Sequence, residues 1–502
     1  MDDNQNLKEN QPKNEGTIFR SEVIDEEKES PSEKQLPSGS YDQSTESPPL
    51  EELPPDVGDI GEEIPNDGLP PNLGTTPNYF LFGIIGGIIF ILIFFIIFKF
   101  LTGRSQPKKI ELTYWGLWDE KEVFQALIEE YQRQNKNVSI KYEKRSPENY
   151  REKLISRINN GIGPDIFRFH NTWLPEIKEI VSYIPKEVMS NEEFEKTFYP
   201  VHQKDLKVAN HYYGIPLYID GLVLVYNKKL FDKAGVLSSP SNWDEIIDVA
   251  AKLMVKDQNG EIITSGIALG TANNIEHFSD ILGLFILQNG GDLTNFSNKE
   301  GIGALQTYRQ FAEPPNNFWS PNLPNSLTAF IQEKVAMIFV PSWVVLLIKS
   351  ANPELDLKVI PVPDVPGGKP VSIANYWVEG VSIKSKNQIE AWKFLKFLVD
   401  KKNLPKLFAN QSKIRLFGTA YSRVDLANLL VQHEYLSAVI KQASYYQSLP
   451  LVSKTFDNGL NDEIIKYLEN AVNSTNEGVS YSEAAMTAQK GIEQVYSKFT
   501  NK

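Results

Sequence analysis

The sequence contains no cysteine and only five histidines. Without cysteine it can form no disulfide framework, zinc–thiolate site, iron–sulfur cluster or thiol nucleophile, and it offers no thiol for a lipid anchor. The motifs H-E-x-x-H, G-x-S-x-G and the P-loop are absent too. The histidines show no spacing typical of metal ligands: His170, His202, His211, His277 and His433. We therefore expect no metal, no cofactor and no enzymatic activity.

Basic residues are scarce in the first 77 positions. That segment holds 19 acidic and 5 basic residues, whereas residues 78–502 hold 45 acidic and 46 basic ones. It also contains 11 of the 31 prolines, and its few apolar residues follow no period. Such a segment cannot bury enough surface to offset its conformational entropy. We predict that residues 1–77 form a disordered acidic tail, a solvated spacer in preference to a docking tail for a basic partner. The acidic total of −13 also argues against nucleic-acid binding.

Twenty uncharged residues follow, from Tyr79 to Phe98. At about 1.5 Å per residue, a helix of this length covers about 30 Å, the thickness of a bilayer core. No small-residue cleavage site follows the run, which indicates an uncleaved signal anchor. We predict a transmembrane helix over 78–101 and a linker over 102–108. The basic residues lie on its C-terminal side, where the positive-inside rule would put the cytoplasm: Lys99, Arg104, Lys108 and Lys109.

The soluble part alternates strand and helix patterns. Three segments have the pattern of buried strands: 110–115, 138–142 and 165–169. Amphipathic helices are predicted between them, at 119–134 and 150–160. This βαβαβ order indicates a mainly parallel sheet with right-handed crossovers. A second set of strands is predicted at 222–227, 265–270, 335–340 and 357–363.

Several segments in order resemble the extracellular solute-binding proteins of the maltose-binding type. They are GPDIF (163–167), YGIPLYIDGLVLVYNKKLFDKAGV (213–236), SNWDEIIDVAAKL (241–253), KVAMIFVPSW (334–343) and SIKSKNQIEAWKFLKFLVD (382–400). Each motif is loose, but the ordered set is specific, although Pro341 stands where glycine is usual. The resemblance implies an α/β fold with two lobes, of the type II periplasmic-binding-protein kind, and an interlobe ligand cleft. Lobe 1 would comprise 109–218 and 380–425, and lobe 2 would comprise 222–375 and 426–502.

The resemblance also implies which residues line the cleft. Aromatic rings stack on the C–H face of a sugar, and polar groups nearby orient its hydroxyls. Asp220, Trp343 and Trp377 match binding positions of the family, whereas Thr172 stands where sugar-binding relatives often have an acid. The predicted ligand-binding residues are Trp115, Phe169, His170, Thr172, Tyr218, Asp220, Trp343, Tyr376, Trp377 and Arg415.

Each of these residues also has a structural interpretation. Aromatic residues at strand ends often cap a core, and Asp220 could be a salt-bridged or solvated turn residue. Arg415 could pair with a surface carboxylate. Trp118 is a further aromatic near the cleft that could serve as a hydrophobic staple at the start of a helix.

The function implied is that of a membrane-anchored extracellular protein that captures a carbohydrate-like solute, such as a sugar or oligosaccharide. It would deliver the solute to the permease subunits of an ABC importer, by a closure of the lobes that the ligand favours. The binding domain would be extracellular and the tail cytoplasmic, against the charge rule, which is a statistical bias. The alternatives are a transmembrane ligand sensor, a glycan-acting enzyme that uses His170 and Asp220 as acid and base, and a structural surface protein.

Overall fold

A computed structural model of the chain describes residue 83, residues 86–94 and residues 109–500. The predicted tail (1–77) and linker (102–108) lie outside the described residues. Of the predicted membrane span, Gly83 and residues 86–94 are described, and they are helical. Within the described part of the chain, no helix combines the length and the apolar character needed to cross a membrane.

The described residues from 109 onward belong to one compact unit of alternating strands and helices. The strands β1 to β14 are Ile110–Gly116, Val138–Lys144, Ile166–His170, Lys207–Val208, His211–Tyr212, Ile215–Pro216, Leu222–Asn227, Val255–Lys256, Ile262–Thr264, Met337–Pro341, Leu357–Ile360, Ser372–Ile373, Trp377–Val381 and Tyr446–Gln447. The helices α1 to α16 are Lys121–Gln134, Tyr150–Asn159, Leu174–Ile177, Asn191–Thr197, Pro200–Asp205, Lys228–Lys233, Trp243–Leu253, Phe278–Gln288, Lys299–Arg309, Ser326–Ile331, Val344–Ala351, Gln388–Leu398, Leu404–Gln411, Ser437–Gln442, Leu460–Asn476 and Tyr481–Thr500.

The larger sheet has five strands in the order β2-β1-β3-β13-β6. Strand β1 pairs in parallel with β2 and β3, so the predicted βαβαβ unit is confirmed. Helix α1 forms because its apolar residues recur on one face, and that face is buried: Val123, Phe124, Leu127, Ile128 and Tyr131. Strand β13 pairs antiparallel with both β3 and β6, so the sheet is parallel on one side only.

The smaller sheet has three strands in the order β10-β7-β11. Both neighbours run antiparallel to β7, whose residues Leu222 to Val225 are buried. The chain passes from the larger to the smaller sheet between Pro216 and Leu222, and it returns between Ile360 and Trp377. These two passages position the residues of the candidate site.

The strand predicted at 265–270 is wrong. Of this segment only Ser265 forms a bridge, to Val335, and Ala268 adds a single bond from its N–H to the carbonyl of Met337. Gly266 lies so close to helix α7 that an added Cβ would meet the carbonyl oxygen of Ala250 at 2.1 Å, and Gly270 has a φ of +97°. The two glycines permit a tight path that an extended strand does not take. The apolar residues between them are therefore a buried loop in the core.

Candidate ligand-binding site

The two passages between the sheets lie side by side. Gly221 forms an antiparallel bridge with Ala374, and the backbone N–H of Asn375 donates to the carbonyl of Asp220 at 2.9 Å. Both Asp220 and Asn375 are buried, at 5% and 7% exposure. One polar residue from each passage is thereby fixed next to the other.

The Asp220 carboxylate is held by backbone donors. Its Oδ1 accepts from the N–H of Gly221 at 2.7 Å and of Ser342 at 3.2 Å, and its Oδ2 accepts from the N–H of Trp343 at 3.3 Å. Burial raises the pKa of Asp220 to about 6, although the bonds from Ser342 and Gly221 oppose the rise. Asp220 is thus neither a solvated turn residue nor half of a salt bridge, but a buried carboxylate fixed at the start of helix α11.

Trp343 occupies the N-cap position of that helix and remains partly buried. Its ring meets the His277 ring edge to face, with centroids 5.8 Å apart. His277 Nδ1 lies in turn 2.6 Å from the hydroxyl of Ser453. Trp343 therefore connects the carboxylate of Asp220, through His277, to the segment that contains Ser453.

His170 ends strand β3 and is fully buried. Its Nδ1 lies 2.8 Å from Thr172 Oγ1, and its Nε2 lies 3.2 Å from Asn375 Oδ1. Thr172 Oγ1 also accepts from Asn461 Nδ2 at 2.8 Å. Burial lowers the pKa of His170 to about 4, so the ring is uncharged at neutral pH. Asn375 joins His170 to Asp220, since it contacts the ring of one and the backbone of the other.

Trp377 begins strand β13 and is partly buried among other rings. Its ring centroid lies 5.1 Å from that of His170, 5.3 Å from Trp173 and 5.7 Å from Trp118. Tyr376 is fully buried, and its hydroxyl donates to Asp205 Oδ2 at 2.7 Å. Tyr376 thus anchors the strand, while Trp377 lies beside His170.

The structure places two predicted residues in the core instead. Phe169 is fully buried, and its ring covers two glycines: a Cβ at Gly380 or at Gly214 would lie within 3.0 Å of it. Trp115 is 5% exposed, with its indole N–H donating to Glu143 at 3.1 Å and its ring 4.2 Å below the Arg145 guanidinium. The apolar packing of both rings is already complete.

Tyr218 and Arg415 belong to a buried polar network around Asp119. The Asp119 carboxylate accepts from Arg168 Nη1 at 2.9 Å, from Gln411 Nε2 at 2.9 Å and from the Tyr218 hydroxyl at 3.2 Å. Arg415 Nη1 lies 3.6 Å from Asp119 Oδ1. Arg415 therefore pairs with a carboxylate that is only 3% exposed, not with one on the surface.

Arg168 stands between two buried carboxylates. Besides Asp119 it contacts Glu379, whose Oε1 accepts from its Nε at 2.7 Å. Burial would raise the pKa of Asp119, but the charges of Arg168 and Arg415 outweigh it and hold that pKa below its usual value. For Glu379 burial prevails over Arg168, and its pKa is raised. The network holds the end of β1, the first passage and helix α13 together.

Sequence reasoning missed three polar residues of this site. Asn375 directly precedes the predicted residues Tyr376 and Trp377, and this position in the second passage could have marked it as a candidate. Asn171, whose Nδ2 donates to Asp205 at 3.0 Å and to Ser448 at 2.9 Å, follows His170 in the same way. Asn461 is far along the chain from Thr172, and no local pattern marks it. Among residues 109–500, no group of histidine and acidic side chains is arranged to hold a metal ion.

The sequence profile of the family described as bacterial extracellular solute-binding protein matches residues 117–404. The chain belongs to this family. The predicted resemblance is confirmed, and the protein is a solute-binding protein.

Two relatives illustrate how distant the similarity is. A protein of Brucella abortus (strain 2308), described as a binding protein, is 26% identical over 295 residues, which is 55% of this chain and 68% of the relative. The maltotriose-binding protein of Pyrococcus abyssi (strain GE5 / Orsay) is 25% identical over 293 residues, which is 56% of this chain and 60% of the relative.

A solved structure shows the same fold. The cyclo/maltodextrin-binding protein complexed with maltotetraose superposes with a TM-score of 0.64 at 18% identity, covering 78% of this chain and 99% of that one. The two-lobe α/β solute-binding fold is therefore confirmed.

Proposed function

We propose that this solute-binding protein captures a carbohydrate-like solute and delivers it to the permease subunits of an ABC importer. The observation that carries the proposal is a continuous line of contacts from Trp343 through Asp220, Asn375 and His170 to Trp377. Two partly buried indoles thus flank a carboxylate and an amide. Indoles offer apolar faces for the C–H side of a sugar ring, while the polar groups can orient its hydroxyls.

The solutes of similar proteins support this choice. The relative from Pyrococcus abyssi is named for maltotriose, and the superposed structure holds maltotetraose. A "multiple sugar-binding protein" of Streptococcus mutans is 21% identical over 325 residues. We infer that an oligosaccharide is a better candidate than a peptide, an amine or an ion.

The predicted site residues take different parts in this proposal. Trp343, Trp377 and Asp220 would contact the solute, and His170 would contact or orient it as an uncharged ring. The remaining polar and aromatic residues would position these from behind: Thr172, Tyr218, Tyr376 and Arg415. The protein would bind its solute without chemistry, as its membership of a solute-binding family suggests.

The lobes would follow the predicted boundaries, with 109–218 and 380–425 in one and 222–375 and 426–502 in the other. The positions of the two sheets support this division, because the larger sheet takes its strands from 110–216 and 377–381 and the smaller from 222–360. The two passages would then be the hinge about which the type II lobes close on the solute.

We also propose that residues 79–98 anchor the protein in the membrane, with the binding domain outside the cell and the tail inside. The support is the run of twenty uncharged residues and the exposed apolar side chains of the described helical part, such as Phe90 at 73% exposure. Protease treatment of intact cells should remove the binding domain. Survival of that domain until the cells are lysed would reverse the orientation.

The solute is tested by thermal unfolding of the full-length chain with maltotriose, maltotetraose, peptides and polyamines. A sugar that binds the native state should raise Tm. Trp343→Ala should weaken its binding by roughly tenfold to hundredfold, since about 1.5–3 kcal/mol of apolar contact is lost. Trp243→Phe is the control, because Trp243, at the start of helix α7, is a buried indole whose N–H donates to Gln288 of helix α8, so its replacement should affect Tm but not affinity. A response to peptides or amines alone would refute the carbohydrate assignment.

A further inference from the structure

The larger sheet has a second end, opposite to the candidate site. Strand β13 begins at Trp377, which pairs with His170 at the site, and it ends at Val381, which pairs with Ile166. Strand β1 is parallel to β3 and pairs Tyr114 with Ile166, so the start of β1 also lies at this second end. The chain therefore enters the domain at the end of the sheet that is remote from the site.

Four large apolar side chains are exposed at this second end. The loop after β13 is tied to the start of β3, because the N–H of Ser382 donates to the carbonyl of Asp165 at 2.9 Å and the hydroxyl of Ser385 donates to Asp165 Oδ1 at 2.6 Å. The exposed side chains come from these segments and from the one next to them, and we call the surface that they form the entry face: Ile162 at 61%, Tyr183 at 49%, Ile383 at 47% and Ile389 at 39% exposure. Exposed apolar side chains that lie together mark a surface of interaction.

A groove with a volume of about 1030 Å³ crosses the entry face, and Tyr183, Ile383 and Ile389 line it. The ring centroid of Tyr183 lies 4.4 Å from that of His211 and 6.4 Å from that of Tyr213. Tyrosine and histidine rings have an apolar body and a polar tip, which suits the boundary between water and hydrocarbon.

The entry face is also basic. Six lysines lie on it or directly beside it, and none of them forms an ion pair with a residue that the structure describes: Lys109, Lys136, Lys178, Lys186, Lys384 and Lys386. Four carboxylates there also lack an ion pair: Glu111, Asp165, Glu179 and Glu187. Two further carboxylates of the grooves are neutralised, Glu192 by Lys196 and Glu390 by Lys393. Six lysines against four carboxylates leave an excess of positive charge, which favours an anionic partner.

The chain that leads to this face is short. Residues 99–109 separate the proposed membrane anchor from β1, and they contain four basic residues and no acidic one. Eleven residues reach at most about 40 Å when fully extended, whereas a domain of about 390 residues is about 55 Å across. The anchor therefore holds the entry face closer to the bilayer than it holds the site.

We propose that the entry face rests on the anionic lipid surface beside the anchor. The isoleucines and Tyr183 would enter the headgroup region, and the lysines would lie against lipid phosphates. The inference rests on the membrane anchor of the proposed function, and it goes beyond that function by assigning the lipid-binding face. Because the site lies at the opposite end of the sheet, a resting domain would turn its site away from the membrane. Delivery of a solute to the permease would then require the domain to lift and rotate.

The absence of cysteine makes a direct test possible, since one introduced cysteine carries the only thiol label. The full-length chain is labelled at Gln388→Cys, on the entry face, or at Ser412→Cys, next to Gln411 at the site end, and it is reconstituted in vesicles that contain a quencher attached to lipid. The label at position 388 should be quenched, more strongly with phosphatidylglycerol than with phosphatidylcholine alone and less strongly at high salt. The label at position 412 should be quenched little.

Substitutions on the entry face should release the domain. Lys384→Gln with Lys386→Gln, and separately Ile383→Ser with Ile389→Ser, should each lower the ratio of quenched to unquenched label at position 388 at least about fivefold. Lys413→Gln with Ile414→Ser is the matched control, because the same two residue types are exposed there at the site end. The control should leave the ratio unchanged, and an unaltered Tm should show that every variant is folded.

The outcomes separate this inference from the proposed function. A chain that carbonate washing strips from the vesicles would refute the anchor, and the resting face would fail with it. If the chain stays in the vesicles but both labels are quenched equally, only the resting face is overturned. Quenching that neither phosphatidylglycerol nor the lysine variants alter would exclude anionic lipid as the partner. Energy transfer between chains labelled at position 388, in place of quenching, would assign the face to a second copy and overturn the proposal.

Discussion

The two sheets reach the same site but fix their residues by different means. The larger sheet pairs Arg168 with Glu379 across β3 and β13, and both side chains are at most 2% exposed. The smaller sheet is apolar at the corresponding depth, with Val223, Leu224 and Val225 fully buried. In the larger sheet, the side chains near the site are held in position by buried opposite charges. In the smaller sheet, position depends on packing and on backbone donors to Asp220.

The largest expected effect is from removing the shared cation. Arg168→Met would leave the carboxylates of Asp119 and Glu379 buried without their partner, which should lower the free energy of unfolding by roughly 3–5 kcal/mol. Leu224→Met in the smaller sheet conserves volume and should cost less than about 1.5 kcal/mol. Urea unfolding of both variants measures the difference. Equal losses of unfolding free energy in the two variants would show that the buried charges do not make the larger sheet more sensitive to substitution.

A second difference concerns pH and the smaller sheet's end of the site. The pKa of Asp220 is about 6 in the folded protein, above that of an ordinary aspartate, so the folded state holds a proton that the unfolded state releases. Stability from this group is therefore present below pH ~4 and is lost as the pH rises through about 6, by at most roughly 3 kcal/mol.

Asp220→Asn should remove that part of the pH dependence. Unfolding free energies of the wild type and of the variant, measured between pH ~4 and ~7, should converge at the acidic end and separate towards neutrality. A constant difference across the range would mean that Asp220 does not titrate there, and any pH dependence of stability would then belong to another group. Asp462, whose pKa burial raises to about 6, is the group to replace next.

The smallest effect is expected where the segment that contains Asn461 meets the larger sheet. Thr172→Val keeps the shape but removes the acceptor for Asn461 Nδ2 and the partner of His170 Nδ1. The loss should be about 1–3 kcal/mol, because buried polar groups are left unpaired. Thr197→Val, at a buried hydroxyl that bonds within helix α4, is the control and should cost less. A larger loss of stability for Thr197→Val would contradict the conclusion that the hydroxyl of Thr172 is the more important of the two.

The part of the fold that the sequence predicted is the part in which local pattern and tertiary pairing agree. The first βαβαβ unit has the period of its elements, and the structure confirms it. The segment 265–270 has the apolar run of a strand but lies between glycines that turn the chain, so composition alone misled. The registers of β13 and β6 depend on pairing between distant segments, which no local window contains.

The candidate site divides in the same way. Trp343, Trp377 and Asp220 lie in motifs that could be matched along the chain, and the structure joins them through one line of contacts. Trp115 and Phe169 end strands as the others do, but Arg145 and two glycines complete their packing. Trp118 precedes a helix and therefore invites a capping interpretation. Its backbone is left-handed, however, and the residues on either side of it are held by Arg168 and Gln411, which are distant in sequence.

The carboxylate of Asp220 is bonded by the main chain of residue 343, not by its side chain. Any residue except proline at that position can supply the same donor. In the proposed site, the group that would anchor a solute and the group that would stack on it are thus separately exchangeable. If Trp343 contacts the solute as proposed, its replacement by another aromatic, a leucine or an amide would alter which solute fits, while the bond to Asp220 stays in place. Position 343 is therefore the natural starting point for directed changes of specificity.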